Sequence, residues 1–293
     1  MSLFAQELVN GIVQGAVYVL VAIGLSLVFG VLKIVNFAHG EFYVVGGFVA
    51  YFVTHTLAWP YWLSVVLALV AGIVVGGIAE RLAIRPLRGA PEESVFLSTF
   101  GLSLVLLYGV KLLIGGRPRP VSSSFGHTFR LGGIAITSQQ VFVLAVTVVL
   151  VAALFVTLQR SYLGVVLRAV AQDRSTGALM GIRVELVYWG AFAVAAGLAA
   201  TAGAAVAPMY SINPYSGQDI LITAFIVVIV AGLGSLQGAV AVGLGLGILE
   251  AMAAGYLPTG ARQWVSYVLV VIVLLLRPQG IFPERATSRA VVA

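Results

Sequence analysis

Asn36, His39 and Glu41 sit within six residues of one another inside a long apolar stretch, and they form the first informative segment of the chain. Ionisable groups at membrane depth cost several kcal/mol unless they face protein or water. Two readings fit them. In one, they form a short cytoplasmic turn between two spans, with Lys33 among lipid headgroups. In the other, they interrupt a helix and face a cavity, as transport proteins tolerate. A second polar interruption is Val230-Ala-Gly-Leu-Gly-Ser-Leu-Gln-Gly238, with Gly232, Gly234, Ser235 and Gly238. It is not a dinucleotide loop, because position 237 is glutamine and no strand precedes it. Its layout matches the first interruption, which suggests an internal repeat with a pathway between its halves.

A third segment, Arg160 to Glu185, is the longest basic connection. Leu163, Val166, Leu167 and Val170 recur at helical spacing, and Ala178, Leu179 and Ile182 repeat that rhythm. A short amphipathic helix pair outside the membrane suits docking to a soluble partner, and equally a helix resting on lipid. Leu167, Val170, Leu179 and Ile182 are the candidate anchors. Arg168 and Asp173 are candidates for orienting or capping bonds, and Gly177 and Gly181 for turning the backbone after each helix.

Catalytic patterns fail one by one. Gly101-Leu-Ser103-Leu-Val105 lacks the closing glycine of a nucleophile elbow. The histidines are His39, His55 and His127 only, with no HExxH, and no Gly-x4-Gly-Lys-Ser/Thr loop exists to hold ATP. Cysteine is absent, which excludes disulfides and thiolate metal sites.

The elements that must carry these segments follow from composition. Hydrophobic residues make up 61% of the chain and charged residues 9%, with a mean hydropathy of +1.09. Soluble domains carry about a quarter charged residues, so this chain reads as an all-α, polytopic transmembrane bundle. Nine apolar stretches stand out: Leu8–Phe29, Val31–Thr54, Trp62–Ala83, Val95–Ile114, Gln140–Leu158, Leu186–Ala207, Ile220–Leu233, Ala239–Ala254 and Trp264–Leu276. Some are short or broken, so eight or nine spans in a single domain, 1–293, are expected. The first ten residues hold no Lys or Arg, so the first stretch reads as a retained span. Lys33, Arg81, Arg85, Arg88, Arg160, Arg168, Arg174, Arg183, Arg277, Arg285 and Arg289 fall on one side. Lys111, Arg117, Arg119, Arg130 and Arg262 fall on the other. The positive-inside bias puts the larger set in the cytoplasm, the N-terminus outside and the C-terminus inside. The net charge of +6 therefore reads as topology and not as a nucleic-acid surface. The pairs Gly11–Gly15, Gly72–Gly76 and Gly243–Gly247 put small residues on one helix face, for close packing within the bundle.

Gly24-Leu-Ser-Leu-Val-Phe-Gly-Val-Leu-Lys-Ile-Val-Asn-Phe-Ala-His-Gly-Glu-Phe42 closely resembles the early signature of branched-chain amino-acid ABC importer permeases, the LivH-like family. Leu167–Asp173 through Ala178–Ile182 is similar to that family's cytoplasmic loop, and Ala224–Ala239 to its late signature, with Ala231 where many relatives have glycine. The resemblance implies a bacterial or archaeal inner-membrane complex. Its partners would be a second permease, two ATP-hydrolysing subunits and an external substrate-binding protein. It makes the segment about 160–185 the coupling element for the ATPases, which use the ATP, and leaves this chain without a cofactor. A secondary transporter or channel would instead need a buried carboxylate, for which Glu41 and Glu250 are the candidates. An intramembrane enzyme would need a nucleophile paired with His39.

Overall fold

A computed structural model describes residues 2–123, 125–131, 133–258 and 261–282. Arg285 and Arg289, used above for orientation, lie outside the described residues, as does the side chain of Arg262. Each of the nine apolar stretches carries a helix, although Val31–Thr54 is interrupted at residues 33–38. Among the described residues, six helices are long and apolar enough to cross a membrane. These are α1 (Ser2–Leu32), α3 (Tyr61–Ala79, prolonged to Leu87 by tighter and wider turns), α4 (Glu92–Ile114), α5 (Ser138–Arg160), α8 (Val184–Val206) and α10 (Leu236–Tyr256). The remaining three stretches fall on shorter helices: α2 (His39–Tyr51), α9 (Ser216–Ala231) and α11 (Ala261–Leu276). Two small helices, α6 (Tyr162–Gln172) and α7 (Arg174–Leu179), lie between α5 and α8.

Glycine decides which helices touch. A Cβ on Gly15 would lie 2.8 Å from the Cα of Leu244 and 3.0 Å from the carbonyl of Gly243, and one on Gly247 would strike the backbone of Gly15. So α1 and α10 pack backbone to backbone. Gly72 and Gly76 do the same for α3 against Ala196, Gly197 and Ala200 of α8. All three glycine pairs therefore serve contacts inside one bundle, where lipid supplies no hydrophobic drive and close packing must.

The short helices are short because irregular backbone completes their crossings. The chain leaves α1 at Lys33, in the left-handed region at φ 55°, and stays irregular to Ala38. Nε2 of His39, the first residue of α2, donates to the carbonyl of Val21 at 3.0 Å, eleven residues back along α1. Eleven helical residues rise about 16 Å, and six extended residues can span about 20 Å. Residues 33–38 thus climb back to mid-bundle. A Cβ on Gly24 would lie 3.0 Å from the His39 ring and 2.8 Å from the carbonyl of Ala195, the midpoint of α8. From there α2 runs on toward the end where α8 finishes, where Tyr61 of α3 donates to the carbonyls of Ala204 and Ala205.

The later half repeats this plan upside down. After α8, residues 207–215 are irregular and pair with the α4–α5 connection through an Arg119–Ile212 bridge. Then α9 begins beside α2, since a Cβ on Gly40 would strike the carbonyl of Gly217, and runs the opposite way. Two half-helices therefore meet with their N-termini at mid-bundle. Inverted repeats with discontinuous helices are a common transporter plan. The repeat expected from sequence paired the wrong segments: the counterpart of residues 33–38 is 207–215. The Val230–Gly238 break is the tight turn joining α9 to α10.

A β-hairpin, β1 (Thr128–Leu131) and β2 (Ile134–Thr137), was not anticipated. Ala135 exchanges two hydrogen bonds with Gln6, 2.8 and 3.0 Å, so the hairpin seats the start of α1. Thr137 and Gln140 then form a reciprocal capping box that opens α5. At the opposite, arginine-rich end, Arg88 pairs with Glu80 and Glu185, and Arg85 reaches Glu185 at 3.1 Å.

Candidate functional site

The conspicuous motif is sealed in protein. Asn36 and His39 are wholly buried and Glu41 is 2% exposed. Asn36 Oδ1 accepts from the Ala38 amide at 3.0 Å, which holds the turn into α2. His39 bonds to Val21 as described, and Glu41 Oε1 accepts from Ser103 of α4 at 3.4 Å. Glu41 also lies in the first turn of α2, where the helix dipole favours a carboxylate. One atom of each residue is buried without a hydrogen-bond partner: Asn36 Nδ2, His39 Nδ1 and Glu41 Oε2. None of the three reaches the cavities to either side. The glycines at 40 and 217 let the two half-helix ends close over them.

Two cavities flank this junction. One, about 630 Å³, extends from the hairpin end, at Glu7 and Asn10, to the start of α9 at Ser216 and Asp219. The other, about 1020 Å³, lies at the arginine-rich end among Lys33, Val35, Arg88, Phe96 and Tyr188. The chain lines the second cavity at Val35 and the first at Tyr43, and the motif lies between them.

The wall of the 630 Å³ cavity holds a set of α1 polar residues that sequence reasoning passed over, beside Glu250, which it named. Glu7, Asn10, Gln14 and Tyr18 follow one another at spacings of three and four along α1, so they form one stripe. Tyr18 donates to Glu250 Oε2 at 2.6 Å, and Gln14 Nε2 reaches the same oxygen at 3.2 Å. Ser266 of α11 donates to Oε1. Three helices thus fix one carboxylate that is 5% exposed. Val13 and Val17 line the cavity beside this stripe, and the rest of the lining mixes apolar Met209, Ile220 and Ile226 with Tyr43, Tyr210, Ser216, Asp219 and Thr223. The periodic stripe was legible, but four polar residues are diluted in a helix of 31.

The 160–185 segment folds as two short helices, as expected, with different anchors. Asp173 caps α7, accepting from the amides of Ser175 at 2.8 Å and Thr176 at 3.3 Å and from both hydroxyls. These bonds hold its carboxyl well below the ordinary aspartate range. Arg168 donates to the carbonyl of Leu158, fastening α6 to the end of α5. Val170 is 2% exposed, with Leu167 and Ile182 packed around the same apolar cluster against α1 and α8. These three residues attach the segment to the bundle. Of the four candidate anchors Leu179, 87% exposed, is the one that projects outward, with Met180, 79% exposed, beside it; on α6, Tyr162 and Leu163 are exposed too. Gly177 makes no turn: it is helical and buried against Val170. The bend between α6 and α7 is made at Asp173, in extended backbone, and Gly181, at φ 80°, turns the chain toward α8. Arg174 and Arg88 lie over the ring of Tyr188, 5.9 and 4.9 Å from its centroid, tying α7 and the end of α3 to α8.

The Gly232–Gly238 turn is structural. Gly232 and Gly234 have φ of 102° and 87°, which side chains rarely adopt. Ser235 caps α10 by accepting from the Gly238 amide at 3.1 Å. Ile281 and Phe282 donate to the carbonyls of Val230 and Ala231, so backbone closes over the turn.

Comparison with known proteins adds the wider context. The family model described as branched-chain amino acid transport system / permease component matches residues 7–277. The high-affinity branched-chain amino acid transport system permease protein LivH of Escherichia coli strain K12 is 35% identical over 292 residues, covering 95% of each chain. BraD of Pseudomonas aeruginosa, named for the same kind of system, is 34% identical with the same coverage. A probable branched-chain amino acid transport permease protein, LivH of Methanocaldococcus jannaschii, is 31% identical over 93% of this chain and 90% of its own.

Proposed function

Since the chain belongs to the branched-chain amino acid transport system permease family, we propose that it conducts branched-chain or related amino acids into the cell within an ATP-driven complex. It is a multi-pass membrane protein and a transport subunit, and the residues that could split ATP are missing from it. The observation that carries the substrate reading is the 35% identity to LivH across 95% of both chains. The expected assembly is two permease subunits, two ATP-hydrolysing subunits and an external substrate-binding protein.

The arrangement of residues supports a direction. Lys33, Arg81, Arg85, Arg88, Arg160, Arg168, Arg174 and Arg183 gather at one end of the bundle, which we assign to the cytoplasm. The hairpin end then faces outward, with the N-terminus outside and the C-terminus inside. The 630 Å³ cavity becomes an outward vestibule that stops at the half-helix junction, and the 1020 Å³ cavity an inward one. Alternating access then consists of opening and sealing the junction held by Asn36, His39 and Glu41. The ATPases drive it by docking on Leu179 and Met180, with α7 linked through Tyr188 to α8 and the end of α3.

The test is reconstitution of the permease with its ATPases and binding protein in liposomes. Labelled leucine, isoleucine or valine should accumulate only with ATP. Accumulation that follows an ion gradient and ignores ATP would reassign the chain to the secondary transporters.

A further inference from the structure

We propose that this permease holds its cargo in a site of its own, the 630 Å³ cavity, and that Asp219 there receives the cargo's ammonium group. This rests on the reading above that the cargo is an aliphatic amino acid. The volume falls within the range of about 300–1,000 Å³ usual for small-molecule sites. The lining offers both characters an amino acid needs. Carboxyl and hydroxyl groups at Tyr210, Ser216 and Asp219 stand among aliphatic groups including Ile220 and Ile226, with Val13 and Val17 on the α1 side.

Charge gives the cavity a sign. Its lining includes three carboxylates, Glu7, Asp219 and Glu250, and no Lys, Arg or His among the described residues. Glu250 is held by Tyr18, Gln14 and Ser266 and shapes the wall. Asp219 differs from it. It is exposed, its side chain makes no hydrogen bond or ion pair among the described residues, and it stands in the first turn of α9 beside the half-helix junction. A carboxylate left unpaired at mid-bundle is costly unless it meets water or a cation. The site offers a cationic head that partner, while the hydroxyls of Tyr210 and Ser216 in the same lining can donate to the cargo's carboxylate. A hydrophobic wall accepts a branched tail but discriminates weakly between tails one methylene apart. The permease therefore selects for the head group and for an aliphatic side chain, and leaves finer choice to the binding protein.

Equilibrium binding of labelled leucine to the nucleotide-free permease–ATPase complex, without binding protein, tests the site separately from transport. Wild type should bind, and Asp219→Asn should weaken binding about tenfold or more, the scale of one charge-assisted hydrogen bond. Asp219→Glu should recover part of it. Isopentylamine, which keeps the ammonium, should compete better than 4-methylpentanoate, which lacks it. Wild-type affinity in Asp219→Asn, or stronger competition by the acid, overturns the proposal. Binding that depends on Asp219 without ATP-driven uptake would leave the site standing and remove the importer reading. Uptake by a complex whose binding ignores Asp219 would do the reverse.

Discussion

The junction at residues 36–41 and the cavity wall along α1 use polar side chains at the same depth for opposite purposes. At the junction, His39 and Glu41 are locked by one hydrogen bond each and enclosed by Phe42, Phe192 and the glycine crossing. Along the wall, Gln14, Tyr18 and Glu250 form a network with one face open to a cavity. Both are expensive placements in lipid, and each is made tolerable differently: by burial against protein in the first, by access to the cavity in the second. The polar residues that catch the eye in a membrane sequence need not be those that meet the solute.

Breaking the junction should give the largest effect. A Cβ on Gly46 of α2 would land on the carbonyl of Ala200 in α8, backbone against backbone, with no side chain able to move aside. Gly46→Val should destabilise by about 3 kcal/mol or more, the upper range for overpacking. The expected readout is a fall in the thermal unfolding midpoint and in the yield of detergent-stable complex. Wild-type yield and midpoint would mean that α2 and α8 do not cross this closely.

Next in size is the exposed tip. Leu179→Asp places a charge where Leu179 and Met180 project, and loss of a central interface anchor costs about 2 kcal/mol or more. The permease should insert normally but retain little ATPase on co-purification. By contrast Val170→Asp, in the buried cluster, should unfold the segment itself. Equal behaviour of the two variants would erase the distinction between attachment and docking residues.

The third experiment sharpens the comparison directly. Glu41→Gln should lower stability by about 1 kcal/mol, since it exchanges one buried hydrogen-bonded group for another, and leave the KM for uptake unchanged. Tyr18→Phe removes a donor from Glu250 in the cavity wall, so it should raise KM several-fold with little change in the unfolding midpoint. If Glu41→Gln moves KM and Tyr18→Phe does not, the roles of the two regions are exchanged.

Much of this plan was readable from residue order, because apolar runs, basic flanks and glycine pairs are one-dimensional signals. The nine stretches, a polar interruption near Lys33 and close packing at Gly15 and Gly72 follow from them, but not the course of the interruption or which helices meet. The second irregular crossing was not readable. Residues 207–215 contain Pro208, Asn213 and Pro214, which describe a surface loop as well as a strand-like segment inside a bundle. Only contact with Gly40 and Arg119 separates the two. The hairpin had a signal, alternating residues around Gly132 and Gly133, but its strands are four residues each. For the 160–185 segment the period located the helices correctly. It could not say which face the bundle would claim, so Val170 and Leu179 looked alike.

The smallest effect belongs to Asp173, the capping residue of α7. Its carboxylate accepts four hydrogen bonds from Ser175 and Thr176, two from backbone amides and two from hydroxyls, and these weaken when it is protonated. The folded carboxyl therefore titrates below the ordinary aspartate value of 3.8. A depressed carboxylate contributes order that is complete above the unfolded value and fades as pH falls through the folded one. Hydrogen exchange in 174–179 should accordingly stay protected from neutral pH to well below pH 4 and loosen only in stronger acid. Asp173→Ala should loosen the same amides several-fold at pH 7, with the rest of the bundle unchanged, because the group is fully exposed and the loss is local to the first turn of α7. Docking of the ATPases should weaken only slightly, since Leu179 and Met180 lie at the far end of the helix from the cap. A large loss of docking in Asp173→Ala would mean that the partner grips the cap itself, and that the apolar tip is not the main anchor. Unchanged exchange in the variant would mean that α7 is held by Gly177 against Val170 and not by its cap.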